Sequence, residues 1–283
     1  MKVNIITDSA SDFSIEEAKK LDIAMLPLQI TFGEDTYYDA IDLDHNAFFE
    51  KLIETDVFPK TSQITPYEYK KAFSEVEEMK EEAVVITLSS KLSGCYQSAC
   101  LAATDMDGIY VIDSLNACVG QRILVEYAVR LRDQGLSAKE IYEACETAKT
   151  KIRLVALLDS LEYLKKGGRI SSTVAFAGAV LSIKPVIAIE GGEVILLGKA
   201  RGSKNGNNKL IEVIKTSGGI DFDMPFSLVY SGLSKDVLNK YIEDSHELYE
   251  EHSDAASLPV CSIGCAIGSH IGPGAVGLAF FTT

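Results

Sequence analysis

Short apolar runs rich in β-branched residues alternate with helical patterns along the first half of the chain. Residues 3–6 match a first short strand, residues 84–88 and 109–112 form continuous apolar runs of strand length, and stretches with helical spacing follow them. Uninterrupted apolar strands separated by helices are typical of a parallel sheet that is covered on both faces. The pattern therefore predicts an α/β domain in the first half of the chain.

Local start signals support two of these helices. Ser14 with Glu17, and Thr65 with Glu68, match the capping box, in which each side chain satisfies a backbone N–H group of the other residue. They predict a short helix after Ser14 and an acidic helix that runs to about residue 82. The segment between them, residues 23–32, is predicted to be extended.

The pattern changes after two long predicted helices at residues 121–132 and 138–149. A strand is predicted at residues 153–158, and residues 187–197 match a hairpin with its turn at Gly191-Gly192. Hairpins mixed with helices indicate an α+β domain. The sequence therefore predicts an α/β protein of two domains, with residues 1–154 in the parallel-sheet domain and residues 155–283 in the α+β domain.

Charge and composition exclude some classes of function and cellular location. The chain has 41 Asp and Glu residues against 27 Lys and Arg, a formal net charge of −14, so nucleic acid is not expected as a partner. The six cysteines form no dense framework and the N-terminal residues lack a signal peptide, which predicts a reduced, cytoplasmic protein. Residues 255–283 carry no Asp, Glu, Lys or Arg, yet their Gly and Pro residues favour buried irregular backbone over a membrane span.

Three small polar turns follow the predicted parallel strands. They are Thr7-Asp8-Ser9, the loop from Ser89-Ser90 to Ser93-Gly94, and Asp113-Ser114. Ligands of open α/β sheets bind at the carboxyl ends of the strands, where these turns would meet. Ser93-Gly94 also opens a helix, whose N-terminus suits a carboxylate or phosphate. Simple helix capping explains each turn alone, but their coincidence on one edge favours a site.

Two other segments are candidate parts of a binding site, although each also has a common structural explanation. Thr61-Ser62-Gln63 is a polar cluster that could be only a loop, and His270 lies among small apolar residues, where a satisfied core histidine is more common than a ligand. Residues 170–183 are uncharged and could line a tunnel or pack a core. Basic residues cluster around Arg169 and Arg201, where a solvated turn is the usual explanation.

Several familiar sequence motifs of cofactor, catalytic and metal sites are either absent or lack the context that they require. A G-x-G-x-x-G match begins at Gly272, but only six residues follow it, too few for the helix that a dinucleotide site requires. The chain has no P-loop sequence, and no G-x-S-x-G surrounds Ser93. The spacings of His246 with His252 and of Cys261 with Cys265 are wrong for zinc, so no metal and no cofactor are expected.

Taken in order, these segments resemble the DegV family of bacterial fatty-acid-binding proteins, which includes the acyl-binding subunit of fatty acid kinase. The similarity extends nearly from end to end. Two positions depart from the family's usual residues, with Ile64 where proline is frequent and Cys95 where threonine is frequent. The segments that carry the resemblance are Thr7-Asp8-Ser9, Thr61-Ser62-Gln63, LSSKLSGCYQSA at 88–99, Ile112-Asp113-Ser114, LEYLKKGGRI at 161–170, Ile183-Lys184-Pro185, Arg201-Gly202 and GSHIGPGA at 268–275.

The resemblance implies a Rossmann-like N-terminal domain and an α+β C-terminal domain with a long-chain fatty acid buried between them. It implies that Thr61, Ser93 and His270 bind the carboxylate, and that Arg169 and Arg201 face a partner. By the same resemblance the chain is not itself an enzyme. A separate fatty acid kinase subunit phosphorylates the bound carboxylate to an acyl phosphate for phospholipid synthesis, and contact with the membrane is only transient. Supporting roles are expected for Asp8, Ser9, Ser62, Gly94, Asp113 and Gly268.

Two alternatives stay open at the level of sequence. The first is a serine esterase or thioesterase with Ser93 as nucleophile, His270 as base and Asp8 or Asp113 as the orienting acid. The second is a carrier of another apolar carboxylate or a retinoid-like ligand.

Overall fold

A computed structural model of the chain describes residues 2–170, 183–252 and 254–283. The strands in chain order are β1 (Val3–Asp8), β2 (Ile23–Leu26), β3 (Gln29–Phe32), β4 (Asp35–Tyr38), β5 (Lys60–Ser62), β6 (Glu82–Thr87), β7 (Ile109–Asp113), β8 (Ile152–Leu157), β9 (Ile183–Glu190), β10 (Glu193–Arg201), β11 (Ser227–Tyr230), β12 (Val260–Ser262) and β13 (Val276–Phe281). The helices are α1 (Ile15–Lys20), α2 (His45–Glu54), α3 (Pro66–Glu78), α4 (Cys95–Ala102), α5 (Cys118–Asp133), α6 (Ala138–Ala148), α7 (Glu162–Lys166), α8 (Gly202–Thr216), α9 (Asp236–Asp244) and α10 (Cys265–Ile271).

The first half of the chain forms a four-stranded parallel sheet in the order β2-β1-β6-β7. Its central strands are buried along almost their whole length, which agrees with the apolar residues at most of their positions. The capping boxes at Ser14 and Thr65 are both formed. The predicted parallel sheet and the α/β class are therefore confirmed.

The second half forms a mixed sheet in the order β10-β9-β8-β13-β11-β12. Its neighbours are antiparallel except for β11 and β12, and the predicted hairpin turns at Gly191-Gly192, both with positive φ. Strand β8 spans the predicted domain boundary at residues 154 and 155 and belongs to this mixed sheet. The division into residues 1–154 and 155–283 stays a prediction.

A third, three-stranded antiparallel sheet has the order β4-β3-β5. The extended chain predicted over residues 23–32 around Pro27 is confirmed, as two strands rather than one, because the chain leaves the parallel sheet after Leu26 and enters this small sheet at Gln29. The acidic helix also ends at Glu78 rather than near residue 82, because β6 already begins at Glu82.

Residues 255–283 are largely regular, and most of them from Cys261 onward are buried. The expected irregular backbone is instead the two strands β12 and β13 and the helix α10, and β13 pairs with both β8 and β11 in the centre of the mixed sheet. The stretch at 170–183 was expected to line a tunnel or to pack in a core. Residues 171–182 of this stretch lie outside the described residues.

Candidate functional site

A cavity of about 400 Å³ lies between the parallel sheet and the mixed sheet. This volume falls within the range of about 300–1,000 Å³ that is typical of small-molecule sites. Most of its wall is aliphatic. The first half of the chain contributes Leu28, Leu88 and Ala117, and the second half contributes Ala156, Ile187 and Val229 among others.

The polar lining comes from short segments that are well separated in the sequence. Within the described part of the chain, the polar cluster consists of Thr61, Ser62 and Gln63 on and after β5, Ser93 and Gly94 before α4, Arg169 after α7, and His270 in α10. These residues are half-buried or exposed, whereas most of the aliphatic lining is buried. The cavity therefore has an apolar interior and polar groups on the side that is nearer to solvent.

The centre of this cluster is a contact between two predicted residues. Thr61 Oγ1 lies 2.9 Å from His270 Nε2, although the two residues are 209 positions apart in the sequence. Burial, with a smaller contribution from the positive charge of Arg169, lowers the pKa of His270 to about 4. The imidazole is therefore neutral at pH 7 and can donate one ring N–H and accept at the other nitrogen.

Ser93 and Gly94 form the turn that opens α4. The Ser93 hydroxyl donates to Cys95 Sγ at 3.2 Å and accepts the Cys95 N–H at 3.4 Å, so Cys95 is a direct neighbour of this part of the site. Gly94 lies directly against the end of the Gln63 side chain, and a Cβ atom at Gly94 would displace the Gln63 amide. Gln63 in turn donates to Ser98 Oγ at 2.9 Å and holds the Thr61 segment against α4.

Arg169 places a guanidinium at the same end of the cavity. Its Nε donates to the Leu92 carbonyl at 3.2 Å and its Nη1 donates to the Gly167 carbonyl at 2.6 Å. Partial burial lowers the pKa of Arg169, but the side chain remains a cation. Arg201, which sequence analysis grouped with Arg169, is exposed at the end of β10 and does not line the cavity.

Asp8 and Asp113 lie behind the cavity wall and order its backbone. Asp8 Oδ2 accepts the Leu88 N–H at 2.7 Å, and burial raises the pKa of Asp8 to about 6. Asp113 Oδ1 accepts the N–H groups of Ser90 and Leu115. Both carboxyl groups therefore stabilise the loops at the end of the parallel sheet, one layer away from the cavity.

Ser9 and Gly268 also lie outside the cavity lining. The Ser9 hydroxyl donates to Asp39 Oδ2 at 2.9 Å and accepts the Leu28 N–H at 3.0 Å. Gly268 is buried in α10 against Phe48, where a Cβ atom would lie 2.6 Å from Phe48 Cε1. Ser62 lines the cavity beside Thr61.

The contacts do not form a Ser-His-Asp relay. Ser93 donates to Cys95, His270 Nε2 contacts Thr61, and the Asp8 carboxylate accepts backbone and Gln121 N–H groups. A nucleophilic triad needs the serine, the imidazole and the acid in one continuous chain of hydrogen bonds. The geometry thus favours binding over acyl transfer.

Sequence reasoning missed two buried carboxylates, Asp12 and Asp39, which contact the start of α10. Asp12 Oδ1 accepts the Gly264 N–H at 2.8 Å, and Asp39 Oδ1 accepts the Cys265 N–H at 3.0 Å. Burial raises the pKa of Asp12 to about 8 and also raises that of Asp39. Asp12 stands in the Asp8-to-Ser14 turn, but the local sequence carries no sign of a partner about 250 residues away.

Among residues 2–170, 183–252 and 254–283, the structure contains no group of three or more His, Cys, Asp or Glu side chains that could hold a metal ion. In the same residues, no helix has the length and apolar character needed to cross a bilayer.

Comparisons with known proteins agree with this architecture. The family model "Uncharacterised protein, DegV family" matches residues 2–283. A DegV domain-containing protein of Caldanaerobacter subterraneus subsp. tengcongensis is 32% identical over 282 residues, covering 99% of this chain and 98% of that protein.

Two solved structures are similar over the whole chain. One is a DegV family protein from Thermus thermophilus, described for its fatty acid binding, with 28% identity, a TM-score of 0.86 and complete coverage of both chains. The other is a stearic acid-binding protein from Eubacterium ventriosum, with 28% identity, a TM-score of 0.83 and coverage of 98% of this chain and 97% of that chain. Both neighbours thus pair this fold with a fatty acid ligand.

Proposed function

Because this chain belongs to the DegV family, we propose that it binds a long-chain fatty acid in the apolar cavity, with the carboxylate at the polar cluster. The observation that carries the proposal is the division of the cavity into an aliphatic interior and a polar group of Thr61, Ser93, Arg169 and His270. A fatty acid has the same division, with a long apolar chain and a small anionic head.

The aliphatic wall supplies the affinity in this proposal. At about 0.8 kcal/mol per buried methylene, an acyl chain of about fifteen methylenes contributes on the order of 12 kcal/mol gross. Ordering the flexible chain and immobilising the ligand take back part of this free energy. Sub-micromolar binding is therefore expected.

The polar cluster supplies recognition of the head group. Thr61 and neutral His270 share one hydrogen bond, which leaves one donor of this pair for a carboxylate oxygen. The Ser93 hydroxyl is a second donor, and the Arg169 cation favours the anion. The N-terminus of α4, just after Ser93, adds a favourable dipole. We expect these groups to discriminate an acid from an uncharged ligand of equal length.

A separate kinase completes the proposed role. The resemblance to the acyl-binding subunit of fatty acid kinase suggests that the bound carboxylate is phosphorylated to an acyl phosphate for phospholipid synthesis, while this chain performs no chemistry. Exposed Arg201 and half-buried Arg169 are the candidates for contact with the kinase or the phosphoryl group. The protein would act in the cytoplasm and contact the membrane only transiently.

The test begins with mass spectrometry of the purified protein, first native and then denatured with organic extraction. We expect a stoichiometric fatty acid of roughly 250–300 Da, retained because of its large burial free energy. An empty protein that also fails to take up added fatty acid would contradict the proposal. A ligand of another chemical class in the same spectrum would also contradict it.

Substitutions then test the head-group assignment. We expect His270→Ala and Ser93→Ala each to weaken fatty acid binding about tenfold or more, the size of one hydrogen bond to a charged group. Ser90→Ala is the matched control, because Ser90 belongs to the same loop but does not line the cavity. Unchanged affinity in both variants would place the carboxylate elsewhere.

A further inference from the structure

The helix α10 begins without a cap of its own. Its N-cap residue is Gly264, which has no side chain, and α10 carries His270 near its other end. The first N–H groups of a helix have no partner inside the helix, so buried helix starts need acceptors from elsewhere. Here the acceptors come from the first half of the chain.

Asp39 is the principal acceptor. Its Oδ1 accepts the Cys265 N–H at 3.0 Å and its Oδ2 accepts the Ala266 N–H at 3.2 Å. Ser9 donates its hydroxyl to the same Oδ2 atom at 2.9 Å. Asp39 is only 1% exposed, so water does not replace these contacts. The carboxylate therefore determines where the first turn of α10 lies.

The same three-stranded sheet contacts both ends of α10. Asp39 directly follows β4, and its N–H donates to the Leu28 carbonyl just before β3. Thr61 lies on β5, opposite Ile30 of β3, and contacts His270. One rigid sheet thus holds the start of the helix through Asp39 and meets its end through Thr61.

The middle of the helix is in close contact with α2. At Gly268 the backbone of α10 packs so closely on Phe48 that even a Cβ atom would overlap it. Displacing the first turn would therefore tilt the helix about this contact and move His270 relative to Thr61.

We propose that Asp39 is a positioning residue for the carboxylate end of the cavity, acting through α10 on the Thr61–His270 contact. The inference rests on the proposed function and deepens it, since it assigns head-group selectivity to a residue that does not line the cavity. Its role is to set the distance between Thr61 and His270, which do line the cavity.

The experiment compares hexadecanoic acid with hexadecan-1-ol, ligands of equal chain length that differ in the head group. We expect Asp39→Asn to lower the ratio of acid to alcohol affinity about tenfold, because an amide cannot accept both backbone N–H groups and the hydroxyl. Affinity for the alcohol should change less than about threefold, since the aliphatic wall is intact. Ser137→Ala is the control: it removes a helix cap from α6, which does not line the cavity, and should leave the ratio unchanged.

A second measurement, by NMR, does not depend on lipid binding. The ¹⁵N shift of His270 Nε2 in the ligand-free protein should move in Asp39→Asn toward the value in Thr61→Val, where the hydroxyl is absent. A folded Asp39→Asn protein with the wild-type ratio and the wild-type shift would overturn the inference. Failure of the wild-type protein to bind the acid would instead overturn the proposed function, and the shift would still decide the role of Asp39.

A milder variant tests the inference even if Asp39→Asn does not fold. Ser9→Ala removes the donor to Asp39 Oδ2 but keeps both bonds from Asp39 to α10, so we expect a smaller fall in the ratio, about threefold. If Asp39→Asn does not fold, an unchanged ratio and an unchanged His270 shift in Ser9→Ala would overturn the inference.

Discussion

Replacing Asp12 by Asn should make the protein less sensitive to pH. Asp12 is buried, its Oδ2 atom has no hydrogen-bond partner among the described residues, and burial raises its pKa from 3.8 to about 8. The nearby carboxylate of Asp39 acts in the same direction. Asn keeps the acceptor for the Gly264 N–H, and it tolerates the left-handed backbone at this position, where φ is 56°.

The sign and size of the effect follow from linkage. Between about pH 4 and pH 8 the unfolded chain has lost the Asp12 proton while the folded chain retains it, so the free energy of unfolding falls as pH rises. The slope is about 1.4 kcal/mol per pH unit, or roughly 2.7 kcal/mol between pH 5 and pH 7. For a chain of this length that loss corresponds to a decrease in Tm of roughly 5 °C.

The assay is thermal and urea denaturation of wild type and Asp12→Asn at pH 5, 6 and 7, followed by circular dichroism. Groups common to both proteins cancel, so the stability advantage of Asp12→Asn should grow with pH. The control is Asp22→Asn, because Asp22 also has a positive φ of 49° but an exposed side chain. Parallel profiles for wild type and Asp12→Asn across this range would refute the reasoning.

Two further predictions concern the cavity and the proposed partner. Ala156→Leu adds three carbons to the cavity wall, so it should displace about three methylenes and weaken binding of the longest acyl chains by about 2.4 kcal/mol, roughly fifty-fold. Ala188→Leu, at a buried position outside the cavity lining, should not change the chain-length profile in the same binding titrations. Arg201→Ala should leave fatty acid affinity unchanged and slow phosphorylation by the kinase. The control Lys139→Ala should change neither the affinity nor the rate of phosphorylation. If the kinase turns over the bound fatty acid equally fast with Arg201→Ala and with wild type, Arg201 does not belong to the docking surface.

Much of the fold follows from local signals in the sequence. The apolar runs within β6 and β7 and the mainly apolar start of β1 predict parallel strands, because a strand covered on both faces must be apolar on both. The capping boxes at Ser14 and Thr65 and the Gly191-Gly192 turn are equally local, since each depends on residues within a few positions. The order of short motifs along the chain also identified the family.

The three-stranded sheet was not predictable in this way. Its strands β3, β4 and β5 are short, and part of their surface is exposed, so they lack the long apolar runs that mark the central strands. The pairing of β5 with β3 depends on a return of the chain to Lys60 after β4 and α2, which no local pattern specifies.

The candidate site depends on tertiary structure for the same reason. Thr61 and His270 are distant in sequence, and their contact exists only because α10 packs on the small sheet and on Phe48. Asp39 caps α10 although 226 positions separate it from Cys265. Periodicity and capping motifs report neighbours along the chain, and so they determine elements. Which buried donors meet which acceptors is decided by the packing of those elements, since it alone removes water and leaves the protein groups to satisfy one another.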